Sequence, residues 1–324
     1  MSPADPPELP GSVVIVTGAS SGIGRATSRL LSEQGMRVVL ASRSRTALEA
    51  AQGECRPGAT LVVPTDVSSA AEVDALFEAA VAAYGRVDAV VHSAAVLAYG
   101  RFDDVPAEVF DRSLNVTLSG TANVARAALR RFAEQGGGRL VVVGSLLGKI
   151  ATPYMSTYVT AKWGVQGLVR CLQIEARETP GVEVSLVSPG AINTPVYLQA
   201  GSYAGVHGRP PPPVVSPERV ARVIAKRLQR PARDTNVGAA NALTITGFRV
   251  LPFVYDRIVT PLMRLGGMAV EVGATAGNVL RPQPENESVH GPWSGLLGGL
   301  LSRGEPLAES SRAPEAEPVA GRTR

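Results

Sequence analysis

The chain has 324 residues, 45% of them hydrophobic, which is enough to bury one substantial core. Its net charge of +4 is spread along the sequence rather than gathered on one face, which argues against a nucleic-acid partner. No run reaches the roughly 20 uninterrupted apolar residues that a membrane span requires, and the two cysteines, Cys55 and Cys171, lack C-x-x-C spacing and companion histidines. Free thiols, no metal site and a reducing, cytoplasmic setting are therefore expected.

Residues 1–10 are acidic and proline-rich, with no apolar run, and read as a disordered N-terminus. Short apolar runs then alternate with helix-period segments: 13–17, 38–41, 61–63, 89–91, 140–143 and 183–187. Continuously apolar strands joined by helical crossovers predict a parallel sheet covered on both faces, so residues 11–239 are expected to form a doubly wound α/β domain of the Rossmann type.

Directly after the first run stands Thr17-Gly18-Ala19-Ser20-Ser21-Gly22-Ile23-Gly24, followed by a helical pattern over 25–34. A pyrophosphate needs backbone N–H groups at a helix N-terminus with no side chains in the way, and a glycine-rich strand-to-helix turn provides both. Gly18 suits the tight turn, Gly22 the approach of phosphate, and Gly24 the close packing of helix on strand. The second run ends in Ala41-Ser42-Arg43-Ser44-Arg45, without the carboxylate that would accept hydrogen bonds from an adenosine ribose 2′-OH. Ser42 and Arg43 suit a 2′-phosphate instead, so NADP(H) is expected over NAD(H). After the third run, Asp66 in Thr65-Asp66-Val67 has two readings, a partner for the adenine amino group or a cap on the next helix.

The fifth run leads into Gly144-Ser145, and Tyr158-Val159-Thr160-Ala161-Lys162 opens a long helix extending to about residue 178. A four-residue step is slightly more than one turn, so Tyr158 and Lys162 share a helix face. An adjacent ammonium is expected to bring the Tyr158 phenol down from its ordinary pKa near 10, fitting it for proton transfer to or from a carbonyl oxygen. Ser145 is placed to donate to the charge developing on that oxygen. The glycine- and proline-rich stretch 194–216 is long enough for a substrate loop. Ser216 and Pro217 mark the start of a helix over 217–229, and a last strand is expected near 235–238.

From these residues the chain resembles the short-chain dehydrogenase/reductase family, over about residues 12–238: a T-G-x-x-x-G-x-G turn, an acid after the third strand, then Ser, Tyr and Lys in order. The resemblance implies hydride transfer between nicotinamide and a carbonyl or alcohol. It also implies a catalytic tetrad of Asn115, Ser145, Tyr158 and Lys162, with Asn115 binding a water that relays protons to Lys162. It extends the cofactor site from Gly18, Ser20, Ser21, Gly22, Ile23, Gly24, Ser42, Arg43, Asp66 and Val67 to Ser93, Ala94, Asn115, Tyr158, Lys162, Pro189, Gly190, Ile192 and Thr194. Ile192 and Thr194 would meet the nicotinamide carboxamide. A homodimer or homotetramer through the helices bearing Asn115 and Tyr158 is a further implication.

Two departures stand out. His92-Ser93-Ala94-Ala95 replaces the family's Asn-Asn-Ala-Gly, with His92 read as a hydrogen-bonded structural residue, and Leu118 falls where a glycine usually follows the tetrad asparagine by three. These motivate an alternative of another class, a dinucleotide-binding scaffold or redox sensor with little or no turnover. The expected pocket rim, Leu97, Tyr99, Leu146, Leu147, Tyr154, Met155, Val196, Tyr197 and Leu198, is mostly apolar and suits a hydrophobic ketone, aldehyde or secondary alcohol. Residues 240–290 read as a helical extension whose amphipathic part, 240–273, packs on the domain or a second subunit in preference to a membrane surface. Residues 291–324 read as a disordered tail.

Overall fold

In the computed structural model, which describes residues 10–293, seven strands make one parallel sheet. They are β1 (Val13–Thr17), β2 (Arg37–Ser42), β3 (Thr60–Pro64), β4 (Ala89–His92), β5 (Gly138–Val143), β6 (Val182–Pro189) and β7 (Asp234–Val237). Their spatial order is β3-β2-β1-β4-β5-β6-β7, each neighbouring pair parallel. The chain reverses direction across the sheet between β1 and β4, which opens a crevice at the carboxyl ends of these strands.

Every β1 residue is buried, and alternate ones face opposite layers. Val13 and Ile15 share a core with Leu76 of α3 (Ala70–Tyr84), Phe132 of α5 (Gly120–Gln135) and Val165 of α6 (Ser156–Glu175). Val14 and Val16 pack instead with Leu31 of α1 (Gly22–Glu33) and with Ile224 and Leu228 of α7 (Pro217–Gln229). Burial on both faces explains why the strands read as unbroken apolar runs. Helices α2 (Arg45–Gln52) and α4 (Ala107–Leu114) complete the layers, and Ser216 caps α7 by accepting from the Arg219 N–H. Cys55 is buried and Cys171 exposed, both as free thiols.

The extension is helical only in its first half. Helices α8 (Asn241–Val250) and α9 (Pro252–Leu262) lead through a π-turn, Met263–Gly267, into a strand, Met268–Glu271, that pairs antiparallel with Val206–Gly208 of the expected substrate loop. Residues 272–293 then run back over the crevice, with only the single turn Pro284–Asn286 helical. Gly273, Gly277, Pro282 and Pro284 account for this break in helical structure. The sequence expectation of a helical extension to residue 290 is corrected to that extent. The terminal segments expected to be disordered lie outside the described residues except for Pro10 and 291–293, where Trp293 is buried against Tyr197 with ring centroids 5.2 Å apart.

Candidate active site

The crevice begins at the glycine turn. Gly18 has φ of +68°, and a β-carbon there would stand 2.9 Å from the Ala94 backbone nitrogen. At Gly24 a β-carbon would meet the Gly18 carbonyl oxygen at 2.1 Å, so α1 rests on the end of β1 with no room for a side chain. Ser93 locks this approach by donating to the Thr17 carbonyl at 2.8 Å. Of the first N–H groups of α1, that of Gly22 is taken by the Ser288 carbonyl at 2.8 Å and that of Arg25 by the Ser21 carbonyl at 3.2 Å, which leaves those of Ile23 and Gly24 as the anion-seeking surface at the mouth.

One continuous cleft is lined by Gly18, Ser20 to Gly24, Ser42, Arg43, Asp66, Val67, Ser93, Ala94, Ser145, Tyr158, Lys162, Pro189, Gly190, Ile192 and Thr194. The fold thus brings together all the sequence-predicted site residues except Asn115. The Asp66 carboxylate accepts from the Ser68 N–H at 2.9 Å and the Ser68 hydroxyl at 2.7 Å, and pairs with Arg112. Burial pushes its pKa up, but these bonds together outweigh burial and hold it below the ordinary value. Asp66 therefore caps the local turn while still facing the cleft.

At the far end of the cleft, Ser145 follows β5, and Tyr158 and Lys162 lie one turn apart on the same face of α6. The Lys162 ammonium sits 5.5 Å from the Tyr158 ring centroid and donates to the Val143 carbonyl at 2.8 Å. Lys162 is only 4% exposed, and burial pulls its pKa down to about 8. Burial drives the Tyr158 phenol the other way, up to about 12, and the facing Ser145 hydroxyl offsets part of that rise. The expectation of a lowered phenol is thus reversed here, because loss of water around the ring dominates and the Ser145 bond offsets only part of it.

Asn115 does not join the constellation: it is exposed, at the start of a π-turn (Asn115–Ser119) linking α4 to α5, and lines no part of the cleft. Thr117 points inward instead. Fully buried, its hydroxyl accepts from the Val96 N–H and donates to the Val96 carbonyl, both at 3.2 Å. The glycine expected three residues beyond the tetrad asparagine is Gly120 counted from Thr117, and it packs so closely on Val67 that a β-carbon would lie 2.7 Å away. The expected spacing to glycine is thus met from Thr117 rather than from Asn115, and neither residue lines the cleft. His92 is structural as expected, bridging Thr17 (2.8 Å) and Thr121 (3.0 Å), with burial and then the Lys162 charge lowering its pKa to about 3.

Of the expected rim, Leu97, Tyr99, Leu146, Leu147, Met155, Val196 and Tyr197 line the cleft. Tyr154 and Leu198 do not, and the Tyr154 hydroxyl is held by Arg264 of the extension at 2.8 Å. Sequence reasoning missed Thr152, Gln199, Arg209, Met263, Asn278 and Glu287, which also line it. Most of these come from the loop and extension that pair with each other, and no local motif marks them.

Ser42 Oγ, Thr152 Oγ1 and Glu287 Oε2 are buried side-chain atoms without a hydrogen-bond partner, and all three residues line this one cleft. Unmade polar bonds gathered along a cavity mark a place for a polar ligand. With the glycine cradle at one end and Ser145, Tyr158 and Lys162 at the other, the donor set fits a nicotinamide dinucleotide.

Comparison with known proteins agrees. A family model described as short chain dehydrogenase matches residues 12–202. The uncharacterized oxidoreductase YxnA of Bacillus subtilis is 34% identical over 264 residues, covering 79% of this chain and 73% of that protein. Among solved structures, an actinorhodin polyketide ketoreductase with NADPH is 27% identical, with a TM-score of 0.64, covering 71% of this chain and 97% of that one. A short chain dehydrogenase/reductase from Burkholderia phymatum in complex with NAD shares the fold, with a TM-score of 0.67 and 24% identity over 78% of this chain and 96% of that one. The chain belongs to the short-chain dehydrogenase/reductase family of oxidoreductases.

Proposed function

We propose that the protein is an NADP(H)-dependent oxidoreductase that moves a hydride between nicotinamide and a hydrophobic ketone, aldehyde or secondary alcohol. The observation that carries this reading is the convergence of Ser145, Tyr158 and Lys162 at one end of a cleft whose other end is the glycine cradle. The dinucleotide, when bound, supplies or accepts the hydride. The Tyr158 phenol gives its proton to the carbonyl oxygen in reduction and takes it back in oxidation, while the Ser145 hydroxyl donates to that oxygen as charge develops on it. Buried and cationic, Lys162 favours the phenolate that forms when Tyr158 has given up its proton. Ser42 and Arg43, at a β2 end without an acid, support NADP(H) over NAD(H), and the apolar rim supports a hydrophobic substrate.

Monitoring NADPH oxidation across a panel of aldehydes and ketones tests the proposal. Turnover is expected for hydrophobic carbonyls, with Tyr158→Phe slower by at least about a hundredfold. Binding of nucleotide with no turnover by either protein would favour the scaffold or redox-sensor alternative, and turnover of small sugars alone would overturn the substrate class. We also assign the protein to the cytoplasm and to a homodimer or homotetramer, which light scattering of the purified protein checks. No helix among the described residues is long and apolar enough to cross a membrane. The row of exposed apolar residues on α8 and α9, including Leu243, Phe253 and Ile258, supports a packed neighbour there.

A further inference from the structure

Residues 278–291 form a strap over the glycine end of the cleft, and its main-chain carbonyls take up donors that surround the cradle. The Ser288 carbonyl accepts from the Gly22 N–H at 2.8 Å and from the Ser21 hydroxyl at 3.3 Å. Those of Asn278 and Val279 accept from Arg43 at 2.6 and 3.3 Å, that of Asn286 from Gln199 at 2.9 Å, and that of Glu287 from Arg25 at 3.2 Å. The strap is anchored at both ends: Val279 is fully buried, and Val289 packs against Ala26 and Ala221. It lies beyond residue 202, where the match to the family model stops.

This strap delivers a carboxylate. Glu287 lines the cleft near Ser20, Arg43 and Arg25, with Oε2 buried and without a partner. Burial raises its pKa, while Ser20, Arg43 and Arg25 pull it back down. Two of the Arg43 nitrogens are already bonded to strap carbonyls, and Arg25 is paired with Glu54 at 2.8 Å, so neither arginine is committed to Glu287 alone. An acid that reads an adenosine ribose normally stands at the end of the second strand, where this chain has Ser42 and Arg43.

Resting on the dinucleotide reading of the cradle, we infer that Glu287 is a cofactor-discriminating residue, an acid brought by the C-terminal strap that opposes the 2′-phosphate Arg43 attracts and accepts from a 2′-hydroxyl instead. The two residues, which line the same cleft, set the balance between NADP(H) and NAD(H) through their opposite charges. Arg43 tips it toward the phosphorylated cofactor, and Glu287 holds that preference down.

Fluorescence titration of NADPH and NADH against the full-length protein, Glu287→Gln and Arg43→Ala tests this. The glutamine variant keeps the side-chain shape and removes the charge. It is expected to bind NADPH about tenfold more tightly, the size of one pairwise charge interaction in a partly buried site. Its affinity for NADH should stay level or weaken, while Arg43→Ala should weaken NADPH alone. A Glu287→Gln protein whose NADPH-to-NADH affinity ratio moves less than twofold, or moves toward NADH, overturns the inference and leaves the dinucleotide site standing. If the folded wild-type protein binds neither nucleotide, the reading of the cradle fails and this inference fails with it. Glu287→Ala, expected to shift the ratio in the same direction, serves should the glutamine variant fold poorly.

Discussion

Lys162 is the group whose function and stability pull hardest against each other, and replacing it with methionine makes the conflict measurable. An ammonium that titrates at about 8 rather than 10.5 is held charged in the fold at a cost of about 3 kcal/mol. Methionine fills similar space without charge but leaves the Val143 carbonyl, now bonded at 2.8 Å, without its donor, which costs about 1 to 2 kcal/mol. Lys162→Met is therefore expected to be more stable than wild type at pH 7, by about 1 to 2 kcal/mol in equilibrium urea unfolding, while turnover falls by at least about a hundredfold. The pH dependence is the sharper test. Because the folded-state pKa of Lys162 is depressed, the unfolded chain binds the extra proton between pH 8 and 10.5, and wild-type stability gains from this residue as pH rises through that window. The variant lacks that gain, so its advantage should be full below about pH 7.5, vanish near pH 9 and be reversed by pH 10. A variant less stable than wild type at pH 7, or an advantage that grows with pH, would refute the reasoning.

Four other substitutions bear on the site. Thr117→Val removes both bonds to the Val96 backbone and is expected to destabilise the fold by about 1 to 3 kcal/mol in urea unfolding, whereas Asn115→Ala should leave turnover within about twofold. Gly24→Ala would place a methyl 2.1 Å from the Gly18 carbonyl oxygen, so dinucleotide binding in a fluorescence titration should drop at least tenfold, or the protein should fail to accumulate in folded form. His92 titrates at about 3, so the pH–rate profiles of wild type and His92→Gln should show the same limbs between pH 5 and 8 even if the variant is less stable.

The sheet was legible because its physics is local. The central strands are buried on both faces and so announce themselves as apolar runs, and Ser216-Pro217 mark the start of α7 by capping chemistry alone. Ser145, Tyr158 and Lys162 were legible for the same reason, since helical spacing fixes which residues share a face. The Asn115 assignment failed where periodicity itself changes: a π-turn over 115–119 alters the helical phase, and the inward residue becomes Thr117. Glu287, Asn278 and Arg209 were invisible because they reach the cleft from segments far away in the chain, through pairing of Val206–Gly208 with Met268–Glu271 that no local pattern encodes. The raised Tyr158 phenol was missed because spacing reveals a neighbouring ammonium but not the loss of water around the ring.

The bond from Ser21 to Ser288 joins positions 267 residues apart, near the two ends of the described chain. A ribosome making this protein releases the glycine turn long before the residues that roof it. The sheet can thus assemble during synthesis, but its nucleotide chamber is finished only after residues 278–291 have emerged. Nicotinamide dinucleotide should consequently protect the C-terminal segment from limited proteolysis far more than it protects the sheet, and a fragment ending at residue 240 should keep its strands while losing that protection.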